Sequence, residues 1–150
     1  MGLRKIIEDY LKEVRLMSLA TSLDNQPWVC SVWFAADADL NIYYFSATAR
    51  RHSEEIVKNN KVAGAIVLPQ SPKDPPRGLY FQGTAELLHN QDDIDEAISV
   101  YADRIFPKKK IKEFMNNKEK QHKFYRIKPT SFVLFDAVNF PNNPRQEFKL

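Results

Sequence analysis

Cysteine and glycine are scarce in this sequence. Of its 150 residues, one is a cysteine, Cys30, and four are glycines. A single cysteine excludes an intramolecular disulfide framework and a metal site built from several thiolates. Cys30 lies in a hydrophobic run without a basic neighbour, which indicates a core residue rather than a nucleophile. His52 shares no metal-ligand spacing with His89 or His122, so no metal site is expected.

Long apolar runs are missing as well. The longest apolar stretch, 28–36, is too short to span a bilayer. Residues 1–6 lack an apolar signal core, and Ile6 stands where the myristoylation pattern needs Ser or Thr. We therefore expect a soluble, cytoplasmic protein without a membrane partner.

The excess of positive charge is small. Lys and Arg number 22 against 19 Asp and Glu, which leaves a net charge of +3. This balance suits a small anionic ligand, whereas a nucleic-acid partner would need a concentrated basic stripe. The lysines at 108–110 are interpreted as a solvated helix face, and no nucleic-acid partner is expected. Hydrophobic residues make up 43% of the chain, which is expected to form one globular domain, 1–150.

The apolar pattern predicts a mainly β domain with flanking helices. Short turns join most strands, and long helices do not alternate with every strand, which disfavours a doubly wound parallel sheet. A six-stranded antiparallel barrel fits better. Pro129 is expected to break the last strand pair, Gly83 to mark a bulge or a close backbone approach, and the tail from Asn139 to be irregular. The predicted strands are 16–23, 28–36, 41–46, 62–68, 77–88 and the pair 124–128 and 131–137. The predicted helices are 3–14, a helix from Thr48 or Ala49 to 59, one that begins after Asn90 and one that begins at Pro107.

One stretch, 43–53, concentrates groups that bind anions. An aromatic strand ends there and a short helix begins, so hydroxyl, guanidinium and helix N–H donors come together as a phosphate dianion requires. Arg51 is the strongest candidate, because a guanidinium engages two phosphate oxygens at once. The alternatives are that Arg51 is solvated, that the hydroxyls cap the helix, or that a neighbouring basic residue faces water. The candidate donors are Ser46, Thr48, Arg50, Arg51 and His52.

This element order and these residues resemble the pyridoxamine 5′-phosphate oxidase-like flavoproteins, the FMN-binding split barrels. The fingerprint of that family is an aromatic strand ending in Thr, three variable residues, Ser-Arg-Lys, a short helix and a valine-rich strand. In this chain Ser46 stands for the Thr, and 50–52 stand for Ser-Arg-Lys. Arg50-Arg51-His52 together with 104–107 is most similar to a small bacterial branch of the family.

The resemblance implies a homodimer with FMN at the subunit interface. The strand 29–34 is similar to the flavin-facing strand, so Ser31, Val32 and Trp33 are expected to meet the flavin ring mainly through their backbone groups. Trp33 is either a wall of the flavin site or part of ordinary core packing. Gln82, on a strand similar to the long return strand, is expected to reach the flavin or the dimer interface. The implied reaction is hydride or electron transfer with a small-molecule substrate or electron donor.

Two departures from the family pattern limit the expected activity. Val29 and Phe34 stand where pyridoxamine phosphate oxidases carry an Arg and a Lys, and their C-terminal Arg-Leu-His-Asp-Arg signature is absent. Strict pyridoxamine 5′-phosphate oxidase activity is therefore not expected. The alternatives are a non-catalytic flavin- or haem-binding module for storage, sensing or redox buffering, or a scaffold that has lost its ligand.

Overall fold

The computed structural model describes residues 2–150, which form four helices and seven strands. Within that range no helix combines the length and the apolar character needed to cross a bilayer. The helices are α1 Leu3–Glu13, α2 Arg51–Lys58, α3 Gln91–Tyr101 and α4 Lys108–Asn116. The strands are β1 Leu16–Leu23, β2 Gln26–Ala36, β3 Ile42–Ala47, β4 Lys61–Ile66, β5 Arg77–Leu87, β6 His122–Asp136 and β7 Arg145–Lys149.

Six of the strands form a closed ring. They follow the order β3-β2-β1-β4-β5-β6, and β6 pairs back with β3, every pairing being antiparallel. β7 lies outside the ring and pairs with the second half of β6. The predicted mainly β fold, a six-stranded antiparallel barrel with flanking helices, is confirmed.

Strand β3 is buried on both of its faces. Its residues Ile42 and Tyr44 belong to the core inside the barrel, which α1 also covers. Tyr43 and Phe45 belong to a second core, which includes residues of α3 and α4 on the outside of the barrel. Alternate side chains of a strand point to opposite faces, so both cores hold this strand in place. The end of β3, where the candidate anion site begins, is therefore a rigid position.

The predicted break at Pro129 is wrong, because β6 runs unbroken for 15 residues. Pro129 lies opposite Gly83, where the register shifts, and the predicted bulge at Gly83 is thereby confirmed. A proline lacks the N–H that a regular ladder needs, and a bulge removes that need. On its other edge β6 pairs with β3 over 122–127 and with β7 over 131–135, so Pro129 also lies between two partners.

Two further expectations are corrected by the structure. The tail is not irregular throughout, because 145–149 forms strand β7. The turn before this strand is anchored on Asp136, whose carboxylate accepts hydrogen bonds from the backbone and side-chain N–H groups of Asn139 at 2.8 and 2.6 Å. α2 begins at Arg51 rather than near Thr48, because the preceding residues form a turn. The Thr48 N–H donates to the Gln121 carbonyl at 3.2 Å, which ties that turn to the start of β6.

Candidate functional site

The first turn of α2 presents backbone donors that no side chain among residues 2–150 caps. Its N-cap residue, Arg50, makes no side-chain capping bond, and the first N–H to find a helical acceptor is that of Glu54, at 3.0 Å from the Arg50 carbonyl. The N–H groups of 51–53 therefore lack an intrahelical acceptor. Together with the helix dipole they make this end of α2 positive.

Arg51 is held beside this turn by two contacts. Its Nε donates to Glu55 Oε2 at 2.8 Å, and its guanidinium carbon lies 4.1 Å from the centre of the Trp28 ring. The Arg51 side chain is 47% exposed, and its two terminal nitrogens have no hydrogen-bond partner among residues 2–150. A fixed guanidinium with a free edge is the group that a bidentate phosphate contact requires.

Glu55 is the buried partner that orients Arg51. Its side chain is 7% exposed, and Oε1 accepts the Thr21 hydroxyl at 2.7 Å. The hydrogen bonds from Arg51 and Thr21 lower the pKa of Glu55, so the carboxylate stays charged. Sequence reasoning missed Glu55, Thr21 and Trp28 as parts of the site. Only the spacing of four residues between Arg51 and Glu55 on one helix could have indicated the pair.

Ser46 and His52 are buried and bonded to each other. The Ser46 Oγ and His52 Nε2 atoms lie 2.7 Å apart, and the two residues are each 7% exposed. Burial, with Arg50 as a further cause, lowers the pKa of His52 and favours the neutral imidazole. Sequence analysis expected both side chains at the phosphate; the structure turns them toward each other, and their contact with a phosphate stays a prediction.

Thr48 and Arg50 have different surroundings from those of Arg51. They line a cavity of about 350 Å³ whose opposite wall is formed by residues 118–122. Arg51, in contrast, contacts Trp28 at the start of β2. The donors that are adjacent in sequence are thus distributed over two sides of the junction between β3 and α2.

The resemblance predicts that strand β2 faces the flavin. Every second side chain of this strand lies on the outer surface of the barrel. Ser31 and Trp33 are exposed there, Trp33 by 49%, whereas Val32 points into the barrel core and offers only its backbone to that surface. Ser31 pairs with Ser18 and Trp33 with Leu16 on β1. Ser31 and its partner Ser18 are therefore small, exposed side chains, and the exposed Val29 and Trp33 flank Ser31 along β2.

Gln82 lies on the same outer surface but far from Ser31. It is on β5, and β1 and β4 lie between β5 and β2 in the ring. Three spacings of about 4.8 Å separate the two strands by roughly 14 Å. Within one subunit Gln82 is thus outside contact distance of Ser31, and its role at a flavin or an interface stays a prediction.

No metal-binding group of three or more His, Cys, Asp and Glu side chains occurs in the part of the chain that the structure describes. The single thiol, Cys30, packs against the barrel core. Burial raises the pKa of Cys30, which disfavours the reactive thiolate.

The family model of pyridoxamine 5′-phosphate oxidase matches residues 3–134. The chain belongs to the pyridoxamine 5′-phosphate oxidase family. This confirms the family suggested by the residues at 43–53 and by the order of the strands. The match includes the whole barrel ring except the last residues of β6, and it includes both sides of the junction between β3 and α2.

Comparisons with individual proteins agree with this family. A UPF0306 protein of Pasteurella multocida (strain Pm70) is 26% identical over 87 residues, which are 57% of this chain and 58% of that relative. A conserved hypothetical protein of Mycobacterium tuberculosis has a similar structure, with a TM-score of 0.76 at 21% identity over 94% of this chain and 88% of that one. The haem storage protein HutZ of Vibrio cholerae gives a TM-score of 0.70 at 16% identity, over 86% and 91% of the two chains. At 21% and 16% identity, these two similarities establish a shared fold and carry no conclusion about a ligand.

Proposed function

We propose that this member of the pyridoxamine 5′-phosphate oxidase family is an FMN-binding flavoprotein that transfers hydride or electrons between small molecules. The observation that carries the proposal is the arrangement of Arg51 at the uncapped first turn of α2. Its free guanidinium edge and the backbone N–H groups of 51–53 form a donor set that fits a phosphate monoester.

The bound FMN would supply the redox chemistry, and this chain would supply binding and orientation. Arg51 and the first-turn amides would hold the phosphate. The backbone of Ser31, Val32 and Trp33 would donate to and accept from the edge of the flavin ring, with the exposed Trp33 side chain as an apolar wall. These residues fit the cofactor, because the small, exposed Ser31 lies on the same face of β2 as Trp33, whose exposed ring offers an apolar surface.

A second copy of the chain is proposed to cover the outer face of the barrel. Here large apolar side chains are exposed on the neighbouring strands β1 and β2. Exposed apolar side chains grouped on one face are typical of a surface that another protein covers. Pairing through this face would place the proposed flavin strand at the interface, as the family resemblance implies. The exposed side chains are Leu16 (43%), Val29 (60%) and Trp33 (49%).

Haem is the second candidate, because the structurally similar protein of Vibrio cholerae is described as a haem storage protein. The histidine nearest to the proposed site argues against it. His52 Nε2 is already bonded to Ser46, so an iron ligand at that nitrogen would have to displace a buried hydrogen bond. We therefore favour FMN over haem.

Pyridoxamine 5′-phosphate oxidation itself is not proposed. The positions that carry an Arg and a Lys in those oxidases hold Val29 and Phe34 in this chain. Val29 is exposed on the outer face, and Phe34 is fully buried in the barrel core, so neither supplies a cation to a ligand.

The test is a titration of the purified protein with FMN, riboflavin and haem, followed by addition of NAD(P)H or another electron donor. We expect a saturable change of flavin fluorescence with FMN, and loss of flavin absorbance at a useful rate after the donor is added. Bound FMN that no donor reduces would contradict the oxidoreductase proposal and favour a storage or sensing module. A Soret band without flavin binding would favour haem, and no binding of either cofactor would favour an empty scaffold.

A further inference from the structure

The cavity next to Arg50 is a concave surface with three cations and one carboxylate in its lining. It measures about 350 Å³ and lies between the turn that precedes α2 and the segment between α4 and β6. Among the residues that line it, Glu119 is the one acidic side chain. The polar groups that line the opposite sides are Thr48, Arg50, Lys118, Lys120, Gln121 and His122.

The cations of this cavity have no acidic partner within residues 2–150. None of Arg50, Lys118 and Lys120 takes part in an ion pair, whereas Arg51, next in sequence to Arg50, is paired with Glu55. Like charges gathered around a concave surface focus a positive potential into it. An anion is the ligand that would offset their mutual repulsion.

One backbone hydrogen bond joins the two walls of the cavity, and a second contact lies within the wall formed by 118–122. The Thr48 N–H donates to the Gln121 carbonyl at 3.2 Å, and His122 Nδ1 lies 2.9 Å from the Lys120 carbonyl oxygen. The His122 ring is also packed between two aromatic rings, with centroid distances of 5.3 Å to Phe45 and 4.8 Å to Phe114. The backbone that carries the cations is thus positioned before any ligand binds, which lowers the ordering cost of binding.

Positive charge is concentrated in the segment of the chain that includes one wall of this cavity. Residues 108–123 contain seven lysines and two glutamates. The rest of the chain then holds 15 basic and 17 acidic side chains, from totals of 22 and 19, so it is slightly negative. This asymmetry would raise the local concentration of small anions near the cavity.

We propose that this cavity binds a small organic phosphate at a site separate from the proposed FMN site. Three cations that line one cavity, one of them a guanidinium, match a phosphate dianion better than a single carboxylate. About 350 Å³ is near the lower end of ligand cavities, far larger than the roughly 30 Å³ share of one water molecule, so an organic body has room beside the phosphate. Thr48 and Gln121 would meet the hydroxyl groups of a polar ligand. This inference does not depend on the binding of FMN.

The experiment is isothermal titration at constant ionic strength with ribose 5-phosphate, ribose and inorganic phosphate. The test variant is Lys118→Gln/Lys120→Gln, and the matched control is Lys108→Gln/Lys112→Gln, which removes the same charge from a different groove, between α3 and α4. We expect ribose 5-phosphate to bind more tightly than inorganic phosphate, and ribose not to bind. The test variant should weaken binding by at least about tenfold, as for lost hydrogen bonds to a charged group, and the control by less than about twofold.

FMN affinity, measured on the same variants, separates this inference from the proposed function. The proposal requires that Lys118→Gln/Lys120→Gln leave the dissociation constant of FMN unchanged. A loss of FMN affinity in that variant would overturn it, because the cavity would then belong to the FMN site. Equal weakening of ribose 5-phosphate binding by both double variants, or no binding by the native protein, would overturn it as well. Failure of FMN to bind any variant would overturn only the proposed flavoprotein function.

Discussion

At the scale of single residues, Arg51 is a cation at the positive end of a helix. The helix dipole opposes a positive charge at this position, so an isolated arginine would destabilise α2. Glu55, one turn later and almost buried, offsets that cost through the 2.8 Å bond to Arg51 Nε. The result is a guanidinium whose Nε is used inside the protein and whose terminal nitrogens remain for a ligand.

Replacement of Arg51 by alanine tests the phosphate contact. Arg51→Ala should weaken FMN binding by about 1.5–3 kcal/mol, the range for hydrogen bonds to charged groups, and should leave riboflavin binding unchanged because riboflavin has no phosphate. Fluorescence titration with both flavins measures the two constants. Lys58→Ala, an exposed basic residue in the last turn of the same helix, is the control. An FMN dissociation constant that Arg51→Ala leaves unaltered would remove this residue from the site.

His52 makes the stability of the protein dependent on pH. Its pKa in the folded protein is below the ordinary value of 6.5, so the unfolded chain binds a proton more readily. The free energy of unfolding should therefore decrease as pH falls below 6.5 and level off below the folded pKa. Urea unfolding across this range measures the effect.

The variant His52→Gln should lose that part of the pH dependence. His89→Gln is the matched control, because His89 is exposed and should leave the pH profile as in the native protein. If the free energy of unfolding decreases equally in His52→Gln and in the native protein below pH 6.5, another group is responsible for the pH dependence.

At the scale of elements, the contact between β5 and β6 depends on one glycine. A Cβ at Gly83 would lie 2.3 Å from the Lys128 carbonyl oxygen and 2.7 Å from Pro129 Cα. Both atoms belong to the backbone of β6, so they have little freedom to move. The bulge that admits Pro129 into a long strand thus requires the smallest residue opposite it.

Gly83→Ala should lower the free energy of unfolding by about 1–3 kcal/mol, the usual cost of overpacking. Gly64→Ala is the comparison, because the atoms nearest to a Cβ there are side-chain atoms of the Phe81 ring, at 2.3 Å, and the nearest backbone atom, the Ser18 carbonyl oxygen, is 3.0 Å away. We expect the smaller loss at Gly64. Urea unfolding of both variants gives the values. A loss at Gly83 no greater than that at Gly64 would contradict the role assigned to the bulge.

At the scale of the whole molecule, the outer face of the barrel is the surface proposed to pair with a second copy. Trp33→Glu places a charge at the centre of that face, next to Leu16 on the neighbouring strand. We expect sedimentation velocity to show a dimer for the native protein and a monomer for this variant, with FMN affinity reduced in parallel.

The control for the dimer is Val138→Glu, which adds the same charge at an exposed apolar residue outside the strands. Circular dichroism establishes that both variants are folded before they are compared. A native protein that sediments as a monomer, or a Trp33→Glu variant that stays dimeric, would contradict the proposed interface.

Much of the fold could be predicted because its signals are local. The alternation in β2 and β5, the short turns, and Asn90 at the start of α3 follow from neighbouring residues, and Asn90 indeed caps that helix through Asp92 N–H at 2.8 Å. The two incorrect predictions, at Pro129 and in the tail, concern features that depend on residues far away in the sequence. Pro129 remains inside a strand because Gly83 lies opposite it, and the tail forms β7 because the edge of β6 is open there.

By itself the sequence determined the class of the fold, the family, and the place along the chain where donors for an anion are concentrated. The tertiary structure alone decided the direction of each donor: Ser46 and His52 toward each other, Arg51 toward Trp28, and Arg50 toward the cavity shared with 118–122. The physical reason is that consecutive side chains in a turn diverge according to the backbone. What each one meets depends on strands and helices that lie tens of residues away in the chain.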